Sequence, residues 1–248
     1  MNFHRQIHTM YALPFLSGLI LASTAIAGQM ASPAESLVSL EQPTGWFISV
    51  AYAQSDREVR FGETLVPIDF RRVTASTGAD LLPFLTVRAE AGWVSAESGP
   101  TSGNGGLEWG IGARAALWEY IIAGSPALPR RHAVRLETDV AYHVGTSNFE
   151  DTFEWTELTV APLLRYTHDR STEAVWNHRQ PTGISVYGGV QYSDWSLDLG
   201  ALSGEGNRDF ALRLGSDLRM GSGWLAQLDA TLYNGSDRRY TVGMGYHF

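Results

Sequence analysis

The chain has 248 residues, a formal net charge of −8 and no cysteine, and its length suits one sizeable domain. The negative charge and the absence of any basic run argue against a nucleic-acid-binding protein. The lack of cysteine excludes disulfide bonds, thiolate metal sites, a cysteine nucleophile and a lipid-anchored N-terminal cysteine.

The N-terminus has the pattern of a secretory signal peptide. The segment MNFHRQIHTM carries Arg5, the apolar run YALPFLSGLILASTAIA follows, and this run ends in the small-x-small pattern AIA. We expect a signal peptide over residues 1–27, cut after Ala27, and a flexible periplasmic lead-in over residues 28–44. An uncleaved anchor helix is the alternative, but the apolar run is short for a membrane span and is interrupted by a proline and a glycine.

From Gly45 onward the sequence alternates with a period of two, which is typical of β-strands. Ten segments have one apolar face and one small or polar face, and the last of them ends on Phe248. The apolar faces span about nine to eleven residues, the length of a tilted membrane-crossing strand. Aromatic residues near the ends of these faces match the two girdles of a membrane barrel. These residues are Trp46, Tyr52, Trp93, Trp109, Tyr142, Tyr166, Tyr192, Trp224, Tyr240 and Tyr246.

Charged residues fall on the face opposite the apolar band. This apolar-out, polar-in arrangement favours a transmembrane barrel, and arginine suits paired, partly buried positions better than lysine does. A soluble β-sandwich with a charged exterior is the alternative. Because arginines and acids are nearly balanced, we expect a salt-bridged network that fills a narrow lumen; a channel would more often show one sign of charge. The predicted lumen network consists of Arg88, Glu90, Arg114, Arg135, Glu137, Asp139, Glu157, Arg165, Arg213, Asp217, Arg219 and Asp229.

The predicted fold is all-β, a transmembrane antiparallel up-and-down β-barrel of about ten strands over residues 45–248. The segment QSDREVRFGETLVPIDFRR could hold additional strand, which leaves eight or twelve strands open. With the last strand ending at the periplasm, MGSG becomes a short periplasmic turn, and SAESGPTSGNGG, GTSNFEDTF and SDWSLDLGALSGEGN become outer loops. Two connections fit poorly: THDRSTEAVWNHRQP is long for a periplasmic turn, and YNGSDRR is short for an outer loop.

The signal peptide, the amphipathic strands and the terminal YTVGMGYHF together resemble small outer-membrane β-barrel proteins of bacteria with a double envelope. In that family, a last strand that ends in Phe, with apolar or aromatic residues at alternate positions, resembles the signal read by the barrel assembly machinery. The resemblance implies a bacterial outer-membrane location and contact with outer-membrane lipid and with the assembly machinery. We expect a monomer with no cofactor and no nucleic-acid partner. The predicted assembly signal consists of Tyr240, Val242, Met244, Tyr246 and Phe248.

We expect a non-enzymatic role, structural or in surface interactions through the outer loops. A small pore for ions or small solutes is the first alternative, and a hydrolase at the outer rim is the second. A lipid A deacylase-like site would use His143 and Ser147, which an even sequence offset keeps on one face of a strand. An omptin-like site would use acids of the predicted outer loops with His143 near the rim. Those acids are Asp151, Asp194 and Asp198.

A metal site is a further candidate within the long connection. His168 and His178 lie ten residues apart there. No third ligand follows at an expected spacing, so we favour a solvated segment without metal.

Overall fold

The computed structural model describes residues 45–61, 63–82, 84–98, 101–102, 105–123, 131–148, 152–169, 181–199, 202–204, 208–220, 223–233 and 237–248. The predicted signal peptide and lead-in, residues 1–44, lie outside these ranges. Within them, no helix is long and apolar enough to span a bilayer. The strands are β1 Trp46–Phe61, β2 Thr64–Leu82, β3 Leu85–Ser98, β4 Thr101–Ser102, β5 Gly106–Ala123, β6 Arg131–Asn148, β7 Thr152–Asp169, β8 Pro181–Leu199, β9 Leu202–Gly204, β10 Arg208–Met220, β11 Trp224–Tyr233 and β12 Arg238–His247.

The ten long strands close into one antiparallel barrel. Each pairs with its neighbour in chain order, and β12 pairs with β1 to complete the ring, while the short β4 and β9 pair with β3 and β8. The closing seam runs from Phe47 opposite His247 to Asp56 opposite Arg238. Among the ten long strands that the structure describes, closure leaves none without a partner on either side, as a span through lipid requires. The predicted up-and-down barrel of about ten strands is confirmed.

An apolar band covers the outward face of the barrel. On β1, Ile48 and Val50 are more than half exposed, and Trp46 and Tyr52 flank them on the same face. The next outward residue beyond Tyr52 is polar, Gln54, and it is also exposed. A continuous outward surface of exposed aliphatic side chains, closed by aromatics, is the surface that a barrel presents to hydrocarbon.

Beyond the band, the alternation inverts. We call the end with Gly45 and Phe248 the terminal end and the opposite one the far end. Near the far end of β8, Asp194 and Asp198 face outward, whereas Trp195 and Leu197 face inward and are buried. Apolar-in, polar-out is the pattern of a barrel wall in water. The strands therefore continue past the membrane, with an apolar core inside them.

This extension corrects several predicted outer loops. β8 runs to Leu199, so Asp194 and Asp198 lie on a strand and the loop prediction for them was wrong. β6 reaches Asn148 and β7 begins at Thr152, so most of GTSNFEDTF is strand as well. Polar residues in these segments resembled a solvated loop because their outward positions face water. The same holds for the segment QSDREVRFGETLVPIDFRR, which supplies the end of β1 and the start of β2 and forms a hairpin paired up to Phe61 opposite Thr64.

A hydrophobic cluster, the far-end core, fills the lumen where the wall projects. Phe70 is fully buried and packs edge-on against Trp155 and Trp195, with ring centroids 6.3 and 5.9 Å away. The cluster draws on β1, β2, β3, β7 and β8. It consists of Val59, Ile68, Phe70, Val94, Ala96, Trp155, Trp195 and Leu197.

Candidate functional site: the packed lumen

The middle of the lumen is organised around Asp139 on β6. Its carboxylate lies 3.0 Å from Arg88 on β3, 3.3 Å from Arg114 on β5 and 3.3 Å from Arg213 on β10. Arg213 also contacts Asp229 on β11 at 2.8 Å. β3 and β10 are five strands apart in the ring of ten, so they form opposite walls. The chain Arg88–Asp139–Arg213 therefore crosses the full width of the barrel.

Nearer the far end, Glu157 on β7 is the second crossing point. Its carboxylate lies 2.7 Å from Arg57 on β1, 3.4 Å from Arg239 on β12 and 3.8 Å from Arg72 on β2. β1 and β7 are again opposite in the ring. The Arg57 guanidinium also stacks over the Tyr233 ring at 3.7 Å, a favourable cation–π arrangement.

Nearer the terminal end, a third cluster joins β5, β6, β7 and β10. Arg165 donates to Glu137 at 2.9 Å and contacts Asp217, and its guanidinium lies 4.5 Å from the centre of the Tyr187 ring. Arg135 bridges Glu137 at 3.5 Å and Glu119 at 3.1 Å. Three charged layers thus succeed one another along the lumen below the far-end core.

His143 links the middle layer to the Glu157 layer. Its Nδ1 lies 2.8 Å from Glu108 and its Nε2 lies 3.4 Å from Glu90. Glu108 in turn contacts Arg72 at 3.6 Å. The imidazole fits because residue 110 is glycine: a Cβ there would lie 1.8 Å from the ring. The inward glycine therefore provides space for a large polar side chain, as expected in a narrow barrel.

All twelve residues of the predicted lumen network lie on the inward face. Ten are buried, and Asp217 and Arg219 are partly exposed near the terminal end. The described network is larger than the predicted one. It includes residues that the prediction left out. Glu108, His143 and Arg239 follow the same alternation as the predicted members. Arg57 and Arg72 lie in the segment QSDREVRFGETLVPIDFRR, which the sequence left ambiguous. The added residues are Arg57, Arg72, Glu108, Glu119, His143 and Arg239.

The residues of the hydrolase alternatives are not brought together. His143 and Ser147 share the inward face, as the offset predicts, but both are fully buried. Asp194 and Asp198 face outward, on the other side of the wall from His143. Asp151 lies outside the described residues, as does His178 of the disfavoured candidate metal pair.

The last strand supplies half of the closing seam. Tyr240, Val242, Met244 and Phe248 are more than half exposed on the lipid-facing side, and Tyr246 is partly exposed there. Their alternation is therefore used for lipid contact in the folded barrel. Their role as an assembly signal stays a prediction.

No family model matches the chain, and no curated protein matches it either. Among solved structures, the outer-membrane protease OmpT from Escherichia coli is 9% identical to this chain and has a TM-score of 0.44. The alignment covers 87% of this chain and 100% of the OmpT chain. The COG4313 outer-membrane channel from Pseudomonas putida F1 is 10% identical, with coverages of 88% and 99% and a TM-score of 0.41. The translocator domain of autotransporter NalP from Neisseria meningitidis is 11% identical, with coverages of 84% and 90% and a TM-score of 0.35.

These similarities are too low to transfer a role, and the class of the protein rests on its own geometry. A closed ten-stranded barrel, an apolar outward band and a polar lumen define an outer-membrane β-barrel protein.

Proposed function

We propose that this protein is a sealed, non-enzymatic outer-membrane barrel whose far end is its working surface. The observation that carries the proposal is the pair of ionic crossings between opposite walls, Arg88–Asp139–Arg213 and Arg57–Glu157. A solute moving along the axis would have to separate these buried pairs. Removing one partner of a buried pair costs about 3–5 kcal/mol, which indicates how strongly such pairs are held.

The far-end core is a second observation that supports a sealed lumen. Its side chains are almost completely buried inside the projecting wall. An ion that entered from that end would meet aromatic and aliphatic side chains before it reached the first arginine. Hydrophobic constrictions exclude ions by excluding their hydration water. A charged lumen under an apolar core is therefore a structural interior, the polar counterpart of a hydrophobic core.

The outward surface of the far end has the chemistry of an exposed contact surface. Asp56, Asp69 and Glu97 stand side by side on β1, β2 and β3, and exposed acids continue around the wall on β7 and β8. Partial burial and the Asp56 carboxylate, with Glu97 nearby, raise the pKa of Asp69, although Arg71 opposes the rise. This acidic rim faces the outside when the terminal end faces the periplasm. It suits adhesion or ligand contact rather than catalysis.

Single-channel recording of the refolded protein in a planar bilayer tests the sealed lumen. We expect no discrete conductance steps from the parent chain, with folding verified by heat-dependent gel mobility. A porin of known conductance, recorded under the same conditions, serves as the positive control. Reproducible steps from the folded parent protein would overturn the proposal and make the charged lumen a permeation path.

Cysteine labelling tests the working surface, because the chain contains no cysteine. Asp198→Cys should react with a membrane-impermeant maleimide on intact cells, since Asp198 is exposed at the far end. His247→Cys, at the terminal end, should react only after the outer membrane is permeabilised. The opposite labelling pattern would place the acidic rim in the periplasm and would contradict its role at the cell surface.

A further inference from the structure

Two histidines face each other at the terminal end of the barrel, on the outward side of β6 and β7. His132 and His168 are direct cross-strand partners in the β6–β7 register. Their Nδ1 atoms are 3.3 Å apart and their ring centroids 4.4 Å apart. The Tyr166 hydroxyl lies 2.7 Å from Nδ1 of His132. Three donor atoms of the kinds that bind transition metals therefore meet at one point of the wall.

The separation of the two nitrogens suits a shared metal ion. Zinc binds imidazole nitrogen at about 2.0–2.1 Å with tetrahedral angles, which places two such nitrogens roughly 3.3–3.4 Å apart. The observed Nδ1–Nδ1 distance is 3.3 Å. The spacing of the two nitrogens therefore fits one ion held between them.

The surroundings keep the pair in place and open to water. The β6–β7 ladder continues past the histidines to Arg131 opposite Asp169, so the backbone beneath them is paired on both sides. Both imidazoles are only partly buried. Tyr166, the last aromatic of the outward band on β7, is next to them, which sets the pair at the boundary between lipid and water. An ion in the aqueous phase can reach this position.

We propose that His132 and His168 chelate a divalent transition metal ion at the terminal rim, with the Tyr166 hydroxyl oxygen as a third donor atom once its hydrogen bond to His132 Nδ1 is released. Imidazole ligands suit zinc, copper and nickel, and Cu²⁺ is the tightest of the divalent series. Solvent or an external ligand completes the coordination, since the described residues contain no cluster of three or more His, Cys, Asp or Glu side chains arranged for a metal. The sequence prediction had His168 as a candidate ligand but paired it with His178. The partner identified by the structure lies 36 residues earlier in the chain, on the neighbouring strand.

Titration of the untagged, refolded full chain with Cu²⁺ tests the proposal, followed by electron paramagnetic resonance and by calorimetry. We expect one site with superhyperfine coupling to two nitrogens. Loss of an outer-sphere partner typically lowers metal affinity by about 10–100-fold, so His168→Asn, which removes a direct ligand, should lower it at least as much. The affinity should also fall as the pH is lowered, because protons compete for the imidazoles.

Two matched variants separate this site from other histidines. His247→Asn removes another partly exposed histidine at the same end and should leave the affinity unchanged. Tyr166→Phe keeps both imidazoles and should preserve the two-nitrogen signal. If His168→Asn, folded by gel mobility, binds Cu²⁺ as tightly as the parent chain, the site does not exist. A parent spectrum with one nitrogen or none would overturn it equally.

Discussion

Replacing Asp139 with asparagine tests whether the lumen is held by charge pairing. The substitution keeps the shape of the side chain and removes one negative charge between three arginines. Arg88 keeps Glu90 at 2.7 Å and Arg213 keeps Asp229 at 2.8 Å. Arg114 loses the carboxylate with which it forms its described ion pair. One buried cation is thus left without its partner, and the free energy of unfolding should fall by about 3–5 kcal/mol.

Urea unfolding of the barrel in detergent micelles, followed by tryptophan fluorescence, measures this loss. Glu154→Gln is the matched control, because Glu154 is exposed on the outward face of β7 and surface substitutions usually stay within about 0.5 kcal/mol. Adding Arg114→Met to Asp139→Asn removes the stranded cation and should restore most of the lost stability. If Asp139→Asn unfolds like Glu154→Gln, or if the second substitution makes the loss larger, the account of the lumen is wrong.

Three further predictions concern other parts of the wall. Phe70→Ala should destabilise the barrel by about 3–5 kcal/mol in urea titrations, because it empties the centre of the far-end core; a loss under about 1 kcal/mol would mean that this core is loosely packed. Val50→Arg in the apolar band should cost about 2–4 kcal/mol if Val50 lies near the bilayer midplane, while Gln54→Arg, beyond the band, should cost about 0–1 kcal/mol; equal costs in liposome unfolding would mean that the band is misplaced. The raised pKa of Asp69 means that the folded state holds the carboxyl proton more tightly than the unfolded state does. Protonation of Asp69 therefore stabilises the fold below the ordinary pKa, and this stabilisation is lost as the pH rises through the raised pKa. Asp69→Asn should therefore raise the urea midpoint at pH 7 but leave it unchanged near pH 3, and a midpoint that rises equally at both pH values would contradict this assignment.

The membrane-spanning part of the fold could be predicted because lipid imposes one rule on every strand. Val50 on β1 and Val242 on β12 are outward in the structure, as their alternation with polar neighbours predicts. The same rule put Asp139 and Arg213 inside before any contact between them was known. It could not show that they touch, because β6 and β10 are three strands apart in the ring and 74 residues separate the two side chains.

The far end could not be predicted in the same way, because the outward face of the strands there meets water and no longer lipid. Trp195 and Leu197 face inward there. They occupy the alternate positions of the strand that hold polar residues nearer the terminal end. Because the prediction of strands depends on an apolar outward face, the inverted alternation at the far end resembles the end of a strand. The loop predictions for Asp194 and Asp198 failed for this reason, and the far-end core was missed with them.

The sequence by itself determined the strand period, the face that meets lipid and the balance of charge inside, since each of these depends on local alternation. Even the absence of lysine is decisive there, because all 18 basic residues are arginine, whose planar guanidinium can pair with several carboxylates at once. Only the tertiary structure decided which walls are bridged, where the lumen closes and that His132 meets His168. Those facts depend on barrel closure and register, which bring together side chains that are far apart along the chain.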